Sequence, residues 1–285
     1  MSKPAAVRGT LFAAVLAAFC SLACAAPPAR AADAPPLVIA GTGDSEELLR
    51  ILAARYMREF PGTRIEVPDS IGTSGGIKAV LAGKAELART ARPLRDEEKA
   101  QGLAEIVFAR SPLVFAVNPS VTGVESLTKE QVLDVFSGKT ADWAALGAPA
   151  GPIRKVCRET PETGRVVLNA AIDGFEALDC REQAVAYSTP EAVAMTANNP
   201  GAIGYFAKSA MTGTRLRALA LSGVAPTPEN VNRGTYGLFI PFALVYKPPL
   251  SPAAADFIKA LALPDARTAM ANYGCLPLPV SLPSP

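Results

Sequence analysis

Ile71-Gly72-Thr73-Ser74-Gly75-Gly76-Ile77 stands between a strand-like segment, 64–67, and a helical pattern with Ile77, Val80 and Leu81 on one face. Its three glycines let backbone N–H groups approach a bound group closely, and two hydroxyls sit among them. A helix begins with unpaired N–H donors and a partial positive charge, so a hydroxyl-rich glycine turn placed there suits a small anion. Taken alone, the segment also reads as a plain turn with a serine cap. Its surroundings shift that reading.

Upstream, 37–40 is a short apolar strand ending in Gly41-Thr42-Gly43. Asp44 or Ser45 then caps a helix, with Glu47 three residues after Asp44. Leu48, Leu49, Leu52, Tyr56, Met57 and Phe60 recur at helical spacing until Pro61-Gly62 stops the pattern. Downstream, Gly83 ends the second helix, and a strand is expected at 85–88, a loop at 89–95 and a brief helix at 96–101. Strand-like runs follow at 106–109 and 113–118. This alternation predicts a parallel α/β sheet. In such sheets ligands sit at the carboxyl ends of strands. The loops at Gly43, Thr73 and Arg92 all follow strands directly, so they can share one rim. Beyond Asn118-Pro119 the pattern predicts a helix at 128–136 capped by Thr128, a strand at 152–158, a polar loop at 159–165 and a helix through Ala171. Further strands are expected at 201–206, 216–221 and 239–246, a loop at 226–234, and terminal helices at 252–261 and 265–273.

Composition removes several function classes. The 285 residues hold no histidine, which excludes Ser-His-Asp and Cys-His catalysis and the commonest metal ligand. No Ser-Lys or paired-carboxylate constellation replaces it, so the expectation is a binding protein with no cofactor and no metal. A formal charge of +2 without a long basic run argues against nucleic acid. Lys3 and Arg8 precede an apolar run, 11–25, and Ala-x-Ala sites end at Ala25 and Ala31. Residues 1–32 therefore read as a cleaved signal peptide, so the mature protein is expected to be exported. Cys24 faintly resembles a lipoprotein box, but soluble export is the preferred reading. Of the later cysteines, Cys157 and Cys180 are the favoured disulfide, about 3 kcal/mol by loop closure, with Cys275 left over. Three buried free thiols are the alternative.

Several motifs recur in a recognisable order. Gly72–Ile77 is followed by Leu81-Ala82-Gly83-Lys84-Ala85-Glu86-Leu87-Ala88 and Arg92-Pro93-Leu94. Then come Leu113-Val114-Phe115-Ala116-Val117-Asn118-Pro119, Leu127-Thr128-Lys129-Glu130-Gln131-Val132-Leu133 with Phe136-Ser137-Gly138-Lys139 and Asp142-Trp143, and Asn199-Pro200-Gly201-Ala202-Ile203-Gly204-Tyr205. Together they resemble the periplasmic phosphate-binding proteins that feed ABC transporters, a branch of the two-lobed type II solute-binding proteins. The resemblance implies an α/β fold of two lobes joined by two crossing strands, with the ligand in the cleft between them. It assigns 33–117 and 236–285 to lobe 1 and 118–235 to lobe 2. Hinge closure over the ligand is the implied motion. Trp143 and the Gly201–Tyr205 segment read as packing elements of lobe 2.

Such proteins hold a dehydrated anion with hydroxyls, helix-terminal N–H groups and an arginine, and an aspartate accepts the anion's proton. Carried onto this chain, the first-loop hydroxyl is Ser45, beside Gly43 and Asp44. The second-loop hydroxyl is Thr73, beside Ser74 and Gly75. The arginine of the second lobe is Arg158; Arg92, in the third loop before Pro93, either points into the cleft or pairs at the surface. The Ser-Gly-Thr turn becomes Glu162-Thr163-Gly164, and the aspartate position is Ala91. At neutral pH phosphate keeps a proton on much of its population and sulfate does not, so Ala91 removes the group that tells them apart. Asp44 or Glu162 is a candidate replacement, if it accepts that proton or pairs with Arg89, Arg92, Arg158 or Arg165. The plain alternatives are a helix cap for Asp44 and a solvated loop for Glu162 and Arg165. The expected function is a monomeric receptor that delivers an oxyanion, phosphate by default, to an ABC transporter permease. The alternative is an orphan domain of the same fold, acting as a sensor or partner-binding protein with another ligand.

Overall fold

The computed structural model describes Met1, 35–159, 162–179 and 184–282. The leader, Cys24 and Cys180 lie outside the described residues. Cys157 is disulfide-bonded, and Cys275 is a buried free thiol.

One mixed sheet forms the spine of the molecule. Strand β1 (Leu37–Gly41) pairs in parallel with β2 (Ile65–Glu66) on one side and β3 (Leu87–Thr90) on the other. The crossovers run through helices α1 (Glu46–Glu59) and α2 (Gly72–Leu81), as parallel pairing requires. α1 buries Leu48, Leu49, Leu52 and Tyr56 against the sheet. After β3 comes α3 (Asp96–Lys99), then the long β4 (Ala104–Val117).

β4 changes partners midway. Its first part pairs with the late strand β11 (Phe239–Tyr246), from Ala104 opposite Tyr246 to Pro112 opposite Phe239. Its last part pairs with β8 (Ala202–Ala207), from Leu113 opposite Ala207 to Val117 opposite Ile203. The expectation of two strands, 106–109 and 113–118, is corrected to this single strand. Pro112 lacks an N–H donor, and it stands where the pairing changes, so the chain loses little there. The return path is laced to the same point: the Leu113 N–H donates to Leu238 O at 3.0 Å, and the Tyr236 hydroxyl donates to Leu113 O at 2.7 Å.

The second half-sheet continues from β8 to β6 (Arg154–Arg158) and β7 (Ala184–Ala186), all parallel. A small side ladder joins β5 (Ser126–Leu127) to β10 (Ala220–Leu221), and β9 (Arg217–Ala218) and β12 (Leu276–Pro277) attach to β4. The remaining helices are α4 (Lys129–Ser137), α5 (Thr163–Ala171), α6 (Thr189–Asn198), α7 (Pro228–Asn232), α8 (Pro252–Ala260) and α9 (Pro264–Asn272). α4 starts in a full Thr128/Gln131 capping box, as its sequence predicts. β7 and α6 were not anticipated, α7 occupies part of the expected loop 226–234, and β3 sits two residues later than expected.

The second half-sheet packs around an aromatic cluster. Phe136 and Tyr205 stand 5.5 Å apart, with Phe115 and Phe175 edge-on to Tyr205. Trp143 is buried and donates its indole N–H to Gly201 O at 2.9 Å, the packing role its sequence context suggested.

Candidate functional site

The carboxyl ends of β1, β3, β6 and β7 converge on a cleft of about 240 Å³. One wall carries Thr42–Asp44, Ser70–Gly75, Arg92 and Arg95; the other carries Arg158, Glu159, Glu162, Thr163 and Tyr187–Thr189. Four helices, α1, α2, α5 and α6, begin at this cleft. Their ends are finished differently. α5 is capped by Glu162, which accepts the Arg165 N–H at 3.0 Å, and α6 by Ser188, which accepts the Glu191 N–H at 3.2 Å. α1 and α2 have no side-chain cap, and the N-cap position of α2 is Ile71, which has no acceptor to offer. The Gly72 N–H reaches the Ser70 hydroxyl at 3.4 Å; the rest of the first turn of α2 has no side-chain cap and brings its partial positive charge to the cleft.

Of the residues proposed from the sequence, Gly43, Asp44, Thr73, Ser74, Gly75, Arg92, Arg158 and Thr163 line the cleft. Ser45 and Gly164 lie just behind its wall. The Ser45 hydroxyl is fully buried and has no hydrogen-bond partner among the described residues. A buried polar group in that condition is costly unless something else satisfies it. Gly164 is packed under Glu162, where an added Cβ would stand 3.1 Å from Glu162 Oε2 and 3.2 Å from Leu113 Cδ1. Thr73 Oγ1 accepts the Ala91 N–H at 3.2 Å, which leaves its own proton to donate.

The structure decides among the alternatives for four sets of residues. Asp44 does not cap α1. Its Oδ2 accepts from the Thr42 hydroxyl at 2.8 Å and its Oδ1 from the Thr189 hydroxyl at 3.0 Å, so the carboxylate bridges the two half-sheets. Glu162 and Arg165 are not a solvated loop. Glu162 caps α5 with Oε1 3.7 Å from Arg158, and Arg165 is buried, donating to Phe175 O and Leu178 O below the cleft. Arg92 lines the cleft, but its guanidinium is held bidentately by Glu98 at 2.7 and 2.8 Å. Arg89 is fully buried and ties Ile39 O, Thr42 O, Pro68 O and Glu46 together beneath the first loop. Of these pairs, Arg158–Glu162 was among those the sequence offered; the others were not.

Arg158 is the guanidinium best placed for a ligand. Its Nε–H donates to Ala186 O at 3.1 Å, its Nη1 donates to Thr189 Oγ1 at 3.2 Å, and its backbone N–H donates to the Tyr205 hydroxyl. A relay therefore runs from Arg158 through the Thr189 hydroxyl to Asp44. Burial pushes the Glu162 carboxyl above its ordinary range; Arg158 pulls the other way and the Asp44 charge adds to the rise.

Thr42, Ser70, Tyr187, Ser188 and Thr189 are cleft residues that sequence reasoning missed. A signal for the last two was present: Ser188-Thr189-Pro190-Glu191 combines a serine cap, an early proline and a glutamate three residues on.

Two half-sheets sharing one long strand, with helix N-termini facing each other across a cleft, define a two-lobed solute receptor of the type II periplasmic-binding kind. The chain belongs to the PBP superfamily, whose domain model matches residues 26–263. Phosphate-binding protein PstS of Bacillus subtilis is 29% identical over 206 residues, covering 71% of this chain and 67% of that protein. The PstS of Borreliella burgdorferi is 26% identical over 208 residues, covering 70% and 74%. Among solved structures, a putative phosphate ABC transporter substrate-binding protein from Clostridium perfringens, with bound phosphate, superposes with a TM-score of 0.76. It is 26% identical and covers 86% of this chain and all of its own.

Proposed function

We propose that this chain is an exported receptor that captures a small oxyanion, phosphate first, in the cleft between its lobes and delivers it to the permease of an ABC transporter. One observation carries the reading: the starts of α1 and α2, which have no side-chain cap, and the starts of α5 and α6 with Arg158 line one cleft from opposite sides. Such an array offers charge-assisted donors from both sides, and low dielectric strengthens each of them. The PstS names of the relatives support phosphate as the first ligand to try. The lobes are 33–117 with 236–285, and 118–235; β4 crosses between them, pairing with β11 up to Pro112 and with β8 from Leu113, five residues before that boundary. The receptor works as a monomer, makes and breaks no bond, and reaches the periplasm through cleavage of the leader 1–32. Calorimetry with phosphate, arsenate, sulfate and molybdate tests the reading. Binding of phosphate well below millimolar supports it; no binding of any of the four refutes it.

A further inference from the structure

Two loops build much of one wall of the cleft, Thr42–Asp44 after β1 and Ser70–Gly75 at the start of α2. Behind them lies a cluster of Arg89, Glu46 and Arg50, none of which lines the cleft. Arg89 is fully buried and grips the first loop: its Nε–H donates to Thr42 O at 2.6 Å and its Nη1 to Ile39 O, while the Thr42 N–H donates to Arg89 O at 3.1 Å. Its Nη2 also reaches the approach to the second loop, donating to Pro68 O at 2.7 Å. Arg50 holds the same approach, through Val67 O at 3.2 Å and Asp69 Oδ1 at 2.8 Å. Residues 67, 68 and 69 are thus each held by a guanidinium just before Ser70. One carboxylate orders both arginines: Glu46, the first residue of α1, stands 2.9 Å from Arg50 Nη1 and 3.1 Å from Arg89 Nη2.

Such a cluster does little for stability. Burial pushes the Glu46 carboxyl up and the Arg89 guanidinium down, against their attraction for each other. Buried ion pairs seldom add net stability over apolar packing. A forked cation adds geometry instead: the planar Arg89 guanidinium fixes groups of β1, the first loop, α1 and the 67–69 segment relative to one another. We propose, on the receptor function given above, that Glu46 is a positioning residue of the anion site: through Arg89 and Arg50 it sets the spacing of the first and second loops, so that their donors converge before the ligand arrives. Donors held in place lose less freedom on binding. Without Glu46 the arginines lose their common anchor, and the start of α2 spends part of its time out of register with the first loop. Affinity then falls with the population of the converged arrangement. Because the cluster lies behind the wall, it acts on all tetrahedral oxyanions alike.

The test is calorimetry of the full protein with phosphate and with arsenate, joined to hydrogen exchange of the ligand-free protein. Glu46→Gln keeps the size of the side chain and removes its charge. Arg50→Gln releases Val67 O and Asp69 from a partly exposed side chain, so the fold tolerates it. Each variant should weaken phosphate at least about fivefold, and arsenate by the same factor within about twofold. Exchange in peptides spanning 67–76 should speed up in both variants, and bound phosphate should restore protection. Trp143→Phe serves as a control that loses stability elsewhere, and it should change neither affinity nor exchange at 67–76. Circular dichroism melts identify a Glu46→Gln protein that fails to fold, and Arg50→Gln then decides. A loss below about fivefold in every folded variant, a loss without faster exchange at 67–76, or an equal loss in Trp143→Phe overturns the positioning role while the receptor function stands. A wild type that binds neither anion below millimolar overturns both.

Discussion

Gly43→Ala separates closure of the cleft from the chemistry inside it. Gly43 follows β1 and faces the first turn of α6 on the other half-sheet. A Cβ at position 43 would lie 2.5 Å from Pro190 Cδ, 3.3 Å from Thr189 Cβ and 3.3 Å from Ser70 Oγ. Carbon atoms in good contact stand about 3.5–4.0 Å apart, and the proline ring is fixed to its backbone and cannot swing aside. The Gly43 backbone does not occupy the left-handed region, so its own loop admits alanine without strain. The clash with Pro190 arises where the two half-sheets meet. Overpacking by one carbon costs about 1–3 kcal/mol, and here most of that falls on the closed state. Apparent affinity scales with the population of the binding-competent state, so phosphate should bind about 5- to 150-fold more weakly. Calorimetry reads the affinity, and small-angle scattering with and without phosphate reads the compaction on binding. The melting temperature of the ligand-free protein should move little, because opening relieves the clash. An affinity within about twofold of wild type, with the same compaction, would refute the claim that Gly43 and Pro190 meet in the bound state.

Glu98→Gln should cost about 1–3 kcal/mol at neutral pH, where the bidentate Arg92 bond holds the Glu98 carboxyl below its ordinary value of 4.5. A depressed folded value means the stabilisation is present above 4.5 and is lost as pH falls through the folded value, so the gap between variant and wild type should close in acid. Denaturation curves across that range check it, and a gap that persists in strong acid contradicts it. Trp143→Phe removes the buried indole bond to Gly201 O and should lower stability by about 1–3 kcal/mol while leaving anion affinity unchanged. Trp143 is the sole tryptophan, so its emission in the wild type reports unfolding of the second half-sheet directly. Burial pushes the Cys275 thiol up to about 12, so a thiol reagent should label it only as the protein unfolds; rapid labelling of the native protein would contradict that burial.

Much of the fold was legible because it is written in local patterns. The α1 stripe of Leu48, Leu49, Leu52 and Tyr56, the Thr128 capping box and the apolar run of β11 each follow from periodicity or a cap within a few residues. Elements without such patterns were lost. α6 is alanine-rich, with a weak apolar stripe, and β7 has three residues. Their absence from the reading hid Thr189, and with it the partner of Asp44.

The amino-acid order by itself determined the strand–helix alternation and the lack of histidine chemistry, since each depends on neighbours in the chain or on composition; the glycine turn expected at 72–76 is instead the start of α2. Tertiary structure alone decided which charges face the cleft. Asp44 looks like a cap because aspartate before a helix usually is one. Thr189, 145 residues away, and Thr42 claim its oxygens instead. Likewise the sequence left Arg92 open between the cleft and a surface pair, and the structure gives it both: it lines the cleft with its guanidinium held by Glu98. Side-chain partners are chosen by proximity in space, and proximity between distant loops exists only once the two half-sheets have met across β4.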